Sequence, residues 1–182
     1  VFAASRISLG QASATAVLSA AIVVLMVASR SSEAVALQVA TAWWLVGLSS
    51  AVIASVQFFA PVLADGWPIA ATTVPGRAVG NLRQPNHLAT ALLCAMVMTA
   101  ALWQAGRLRP ALAASSLVVM VLGVALSASR TGALALVVLL LWALWDRSLP
   151  RAARWMLALT PALYLLCWFG LVEYAQAQGL NF

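Results

Sequence analysis

Two short polar stretches carry the side chains of this chain that are suited to chemistry. The first, GNLRQPNHLAT, covers residues 80–90, and its binding or reactive candidates are Arg83, Gln84, Asn86 and the only histidine, His87. The second, SASRTG, covers residues 127–132 and holds Ser129 and Arg130. A guanidinium group binds two oxygens of an anion at once and keeps its charge. Together with the amides, hydroxyl and imidazole, these arginines predict a site for an anion.

The composition indicates the solvent in which this site works. Hydrophobic residues make up 64% of the chain and charged residues 8%, whereas a soluble domain carries about 25% charged residues. A core of 182 residues cannot hide so much apolar surface from water. The bilayer must therefore be the solvent, and we expect an all-α polytopic membrane protein because helices satisfy their own backbone groups in lipid.

The apolar runs predict six transmembrane helices within a single transmembrane domain, residues 1–182. A span needs about 20 apolar residues, and the predicted spans are residues 11–28, 34–60, 87–104, 110–127, 131–149 and 152–171. The one long connection, residues 61–86, holds four of the seven prolines and resists helix formation. The chain starts at Val1 and stops soon after an apolar run, so we expect it to be a piece of a larger protein.

The distribution of arginines predicts the orientation in the membrane. All ten basic residues are arginine, and the net charge is +6. Loops on one side hold six of them: Arg30, Arg107, Arg109, Arg147, Arg151 and Arg154. Loops on the other side hold Arg6, Arg77, Arg83 and Arg130. Positive charge favours the cytoplasm, so the loop 61–86 and the SASRTG turn should face outward. Membrane topology thus explains the excess of positive charge, and we expect no binding of nucleic acid.

Two predicted helices start at this outward face. His87 opens one, with Asn86 as the expected N-cap, and Arg130 opens the other, with Ser129 or Thr131 as its cap. Their free N–H groups and positive dipole ends point to the same compartment, which favours a phosphate or diphosphate joined to a lipid. In the simpler alternative, the arginines are interfacial anchors and the histidine only hydrogen-bonds the loop.

Other chemistries find little support in the sequence. The four acidic residues form no pair, and there is no metal-binding cluster and no glycine-rich phosphate loop, so we expect neither a metal nor a cofactor. A transporter or flippase module for a lipid-linked or anionic substrate is the main alternative to an enzyme. A membrane scaffold without chemistry is a third reading. The polar groups gather at one face and leave the helix centres almost bare, which weighs against a transporter.

The polar stretches also resemble a known family. GRAVGNLRQPNHLAT (residues 76–90) followed by SASRTGAL (residues 127–134) resembles the O-antigen ligase superfamily, and within it the bacterial O-linked protein-glycosylation ligases of the pilin oligosaccharyltransferase type. The resemblance covers residues 75–141, and the remainder is similar only in hydropathy. It implies a GT-C-like membrane glycosyltransferase of about twelve helices in the bacterial inner membrane, with its functional face in the periplasm.

The resemblance further implies an activity. Such enzymes transfer a glycan from an undecaprenyl-diphosphate carrier to an acceptor hydroxyl, either on a protein Ser or Thr or on the lipid A core, without a metal. Arg130 matches the arginine expected to hold the diphosphate. Gln84, Pro85, Asn86 and His87 match a block expected to shape the outer site. The catalytic histidine of the family belongs to a periplasmic loop that would follow residue 182, so His87 is not that histidine and the catalytic residue is unknown.

Overall fold

The computed structural model describes residues 32–72 and 76–179. The chain divides into two compact units, Val1–Val39 and Ala40–Phe182. Of the first unit, residues 32–39 are described, and residues 33–39 form the opening turns of a helix. The predicted span 11–28 lies outside the described residues. All of the packing and the contacts below belong to the second unit.

The described part of the chain is helical. Its elements are α1 (Glu33–Phe59), a 3-10 turn (Pro61–Leu63), α2 (Pro85–Gln104), α3 (Pro110–Leu126), α4 (Arg130–Trp145), α5 (Arg151–Ala158) and α6 (Thr160–Ala177). Three segments are long and apolar enough to cross a membrane, namely Glu33–Phe59, Pro85–Gln104 and the continuous stretch Arg151–Ala177, while α3 and α4 are shorter apolar helices. These findings support the all-α membrane class, and the count of six spans stays a prediction.

The predicted span 152–171 differs from the observed helices. The chain forms α5, is interrupted at Leu159, which keeps helical backbone angles, and continues as α6 to Ala177. Pro161 explains the interruption, because it has no N–H to donate to the carbonyl of Leu157 four residues earlier. The hydroxyl of Thr160 donates to that carbonyl instead, at 2.7 Å. The helix α4 ends at Trp145, four residues before the end of the predicted span 131–149.

Small residues let α1, α2 and α3 approach closely. A Cβ atom on Gly47 of α1 would overlap that of Ala95 in α2. On Gly123 of α3 it would lie 2.8 Å from Cδ1 of Leu92 and 3.2 Å from Cβ of Ala51. Such contacts are typical of helix packing in lipid, where association depends on close van der Waals contact. The tight packing fixes the middle of α1 against α2 and α3.

Candidate functional site

Several helix ends meet at one end of the bundle, which we call the Asn86 end. Here α1 and α3 end while α2 and α4 begin. The backbone N–H of Ala78 donates to the carbonyl of Leu126, the last residue of α3, at 2.9 Å. The rings of Phe59 in α1 and Tyr174 in α6 contact each other edge to face, with centroids 5.3 Å apart. The two polar stretches of the sequence therefore lie at the same end.

A hydroxyl and amide cluster joins the starts of α2 and α4. The Ser129 hydroxyl donates to Oδ1 of Asn86 at 2.8 Å, and the Thr131 hydroxyl lies 3.3 Å from the same oxygen as a second donor. The two hydroxyl oxygens are 2.9 Å apart. The backbones also come close, because a Cβ atom on Gly132 would lie 2.8 Å from Cβ of Ala89. The structure thus brings the predicted site residues Asn86 and Ser129 into direct contact.

The capping predictions have different outcomes. Ser129 is the N-cap of α4, as expected, and its hydroxyl accepts a hydrogen bond from the N–H of Gly132 at 3.1 Å. The expectation for Asn86 is wrong, because α2 begins at Pro85 with Gln84 as its N-cap and no capping side chain. Proline suits the first helical position, where an N–H would have no partner in the helix. This earlier start places Asn86 inside the first turn, where its side chain reaches α4 instead.

The remaining predicted site residues surround this cluster without joining it. Arg83, Gln84, His87 and Arg130 are all exposed at the Asn86 end. Within residues 32–72 and 76–179, no ion pair or side-chain hydrogen bond engages any of the four. Their charges and polar atoms face the surroundings, so they are accessible to a ligand that arrives at this end.

A buried glutamine that no sequence motif marks holds the loop before α2. Gln57, near the end of α1, is 4% exposed. Its Oε1 accepts hydrogen bonds from the N–H groups of Val79 at 2.9 Å and Gly80 at 2.8 Å. Its Nε2 donates to the carbonyl of Ala70 at 2.8 Å. The only sequence signal was a lone amide near the end of an apolar run.

Asn81 holds the same loop from the other side. Its Oδ1 accepts from the N–H of Ala70 at 2.7 Å, and its Nδ2 donates to the carbonyl of Pro68 at 2.9 Å. Both bonds of this amide thus satisfy backbone groups of the loop. Gly80, Asn81 and Arg83 have positive φ values of 56°, 63° and 60°. The chain therefore makes a tight left-handed turn just before α2.

Comparison with known proteins gives one finding for this region. A family model described as protein glycosylation ligase matches residues 78–103. The matched segment contains the left-handed turn, the residues Arg83 to His87 and nearly all of α2. Neither the curated proteins nor the solved structures gave a match. The similarity thus falls on one of the two helix starts that form the Asn86 end.

Proposed function

We propose that this protein is a membrane glycosyltransferase that moves a glycan from an undecaprenyl-diphosphate-linked donor to an acceptor hydroxyl. The acceptor is a protein Ser or Thr, or the lipid A core. The protein would lie in the bacterial inner membrane with its Asn86 end towards the periplasm. The match to a protein glycosylation ligase at residues 78–103 supports this class of reaction, and the apolar helices support a membrane setting.

The contact between Asn86 and Ser129 is the observation that carries the proposal. It joins the starts of α2 and α4, so two positive dipole ends lie together beside the exposed Arg130. In transfer, the acceptor oxygen bonds to the anomeric carbon while the bond from that carbon to the phosphate oxygen breaks. Negative charge grows on the departing lipid diphosphate. Arg130 would hold this group and stabilise its charge, with Arg83 as a second cation.

The polar amides and the imidazole have supporting roles in this proposal. Gln84 is the N-cap of α2 and His87 lies in its first turn. Both side chains are exposed and would bind glycan hydroxyls or phosphate oxygens. Asn86 and Ser129 would keep the two helix starts together. The acceptor proton requires a base, which we do not assign to a residue of this chain. With these roles, the Asn86 end would form one side of the donor-binding site.

The placement of charge separates this proposal from a transporter. In α1, α2, α3, α4 and α6, charged residues occur only near helix ends, at Glu33, Arg130 and Glu173. A path for an anionic substrate through the membrane needs polar or ionisable groups at depth. None of α1, α2, α3, α4 and α6 carries a charged residue near its middle, which favours a reaction at the membrane surface.

Substitution of Arg130 tests the proposed function. In the full-length protein, Arg130→Ala should lower transfer from a lipid-diphosphate donor by about 100-fold or more, since the charge-stabilising group is lost. Arg109→Ala is the matched control, because Arg109 is also exposed at a helix start but belongs to α3 at the opposite end. Membrane insertion of both variants should equal that of the wild type. Normal transfer by Arg130→Ala would contradict the role of Arg130.

A parallel assay decides the acceptor. The wild-type protein is given one labelled lipid-diphosphate donor and either a protein acceptor or lipid A core. Label that appears on a Ser or Thr of the protein identifies a protein-glycosylation enzyme. Label on the lipid A core identifies an O-antigen ligase. Transfer to neither acceptor would contradict the proposed function.

A further inference from the structure

We propose that Gln57 is a positioning residue that fixes the turn which presents Arg83 and Gln84 to the donor. The inference rests on the proposed function, because it concerns the same site. Gln57 itself lies in α1 and is buried, so it acts through the loop. Its partners lie 13 to 23 residues further along the chain.

Gln57 supplies the hydrogen-bond acceptor for two backbone N–H groups of the loop that are shielded from water. Val79 is 1% exposed and Gly80 is also buried, so their N–H groups have no access to water. Oε1 of Gln57 accepts from both. A buried N–H without an acceptor costs free energy comparable to a lost hydrogen bond. Loss of this oxygen should therefore make the loop rearrange at residues 79 and 80.

The same residues begin the turn that carries the candidate site. A Cβ atom on Gly80 would lie 2.6 Å from Cδ1 of Leu88 and 3.2 Å from the carbonyl oxygen of Ser50, so the backbone is held between α1 and α2. Arg83 follows within the same left-handed turn, at a φ value of 60°. An L-residue in this conformation is under strain unless its surroundings hold it. Movement at Gly80 is thus transmitted directly to Arg83 and Gln84.

Gln57 and Asn81 together close a ring of hydrogen bonds. Gln57 binds the carbonyl of Ala70, and Asn81 binds the N–H of the same residue. Gln57 also binds Gly80, which is bonded covalently to Asn81. The ring connects α1, the segment around Ala70 and the turn before α2. Because each member limits the others, the two amide side chains should act on the turn as a coupled pair.

The test removes the ring without changing Arg83, Gln84, His87 or Arg130. Gln57→Met keeps an unbranched side chain of similar length but cannot accept from Val79 or Gly80. Asn81→Gly removes the second amide and suits the positive φ value there. Ser55→Ala is the matched control, since the Ser55 hydroxyl donates to the carbonyl of Ala51 within its own helix. All variants are made in the full-length protein.

Two measurements follow on the same preparations. Hydrogen exchange at the amides of Val79 and Gly80 should become faster in Gln57→Met and stay unchanged in Ser55→Ala. In the transfer assay, Gln57→Met should raise the KM for the lipid-diphosphate donor about tenfold while kcat changes less than about threefold, the pattern of weakened donor binding. Asn81→Gly should shift KM in the same direction. The double variant should show less than the product of the two single effects.

The outcomes separate the two proposals. If the wild type transfers no glycan, the proposed function is wrong and the positioning role falls with it. If the wild type is active and both single variants keep the wild-type KM, only the positioning role is overturned. A lower kcat with an unchanged KM overturns it as well, because donor binding is then intact. If Gln57→Met does not fold, the KM of Asn81→Gly decides.

Discussion

The hydrogen bonds at the two ends of the helical bundle differ in the sequence separation of their partners. At the Asn86 end, side chains bond to partners far away in sequence, such as Ser129 to Asn86, 43 residues apart. At the opposite end, which we call the Arg154 end, Arg154 Nη2 donates to the carbonyls of Asp146 at 3.2 Å and Leu149 at 3.4 Å. These partners are only 8 and 5 residues away.

The charges at the two ends also differ in their setting. The Arg154 end has the larger number of arginines, and Arg107, Arg109, Arg147 and Arg151 are all exposed there. Local turns organise that end, as when Asp146 Oδ1 accepts from the N–H and hydroxyl of Ser148 at 2.9 and 2.6 Å. The Asn86 end has fewer arginines, but hydrogen bonds connect segments there that are distant in the sequence. The larger number of charges suits orientation in the membrane, whereas exposed arginines on a backbone that distant side chains hold suit a binding site.

We expect the largest loss of stability when the contact between α2 and α4 at the Asn86 end is disrupted. Gly132→Ala places a Cβ atom 2.8 Å from that of Ala89, and overpacking of this kind costs about 1–3 kcal/mol of unfolding free energy. Gly170→Ala is the control in α6, because its added Cβ would meet open space and no neighbouring helix. That variant should gain up to about 1 kcal/mol from helix propensity. Unfolding in detergent measures the free energy of unfolding of both variants. Equal values for Gly132→Ala and Gly170→Ala would contradict the close contact between α2 and α4.

A smaller and more selective effect is expected at Asn86. Asn86→Asp keeps oxygen acceptors for Ser129 and Thr131, and a carboxylate is favourable in the first turn of a helix. Its stability should stay within about 0.5 kcal/mol of the wild type. Transfer should nevertheless fall about tenfold or more, because the new negative charge opposes an anionic donor.

The apolar variant Asn86→Leu sharpens the same test. It removes the acceptor that Ser129 and Thr131 share. One of these hydroxyls can still donate to the other, so one hydroxyl is left without an acceptor, and the variant should lose about 1–2 kcal/mol of unfolding free energy. Thermal unfolding and the transfer assay, run side by side, separate the two effects. Full activity of Asn86→Asp would show that no anion binds near the joined helix starts.

The smallest effect is expected at the Arg154 end. The side-chain and backbone hydrogen bonds from Ser148 hold the pKa of Asp146 below its usual value. A depressed pKa in the folded state gives stability that is present at neutral pH and is lost as the pH falls through the folded pKa. Acid should therefore lower the unfolding midpoint slightly, and less so in Ser148→Ala, where the pKa of Asp146 returns towards its ordinary value. An equal acid response in both proteins would contradict this assignment. Transfer should stay at the wild-type level in this variant.

Much of the fold follows from local patterns in the sequence. Apolar runs located five of the predicted spans at positions where the structure has helices, because lipid-facing helices need apolar residues along their length. The SASRTG stretch predicted the turn between α3 and α4, and Ser129 caps α4 as expected. The break at Leu159 was missed because apolar residues continue through it, although Pro161 was a visible signal.

The candidate site could be predicted from the sequence only in part. By itself, the sequence determined the apolar class, the helix positions and the gathering of polar residues at helix starts, since these follow from composition and short-range order. Tertiary structure alone decided that Asn86 bonds Ser129 across 43 residues and that Gln57 holds the turn before α2. Close approach of α1, α2 and α3 through small residues decides which side chains meet. No local pattern encodes such a distance, because it results from packing over the whole bundle.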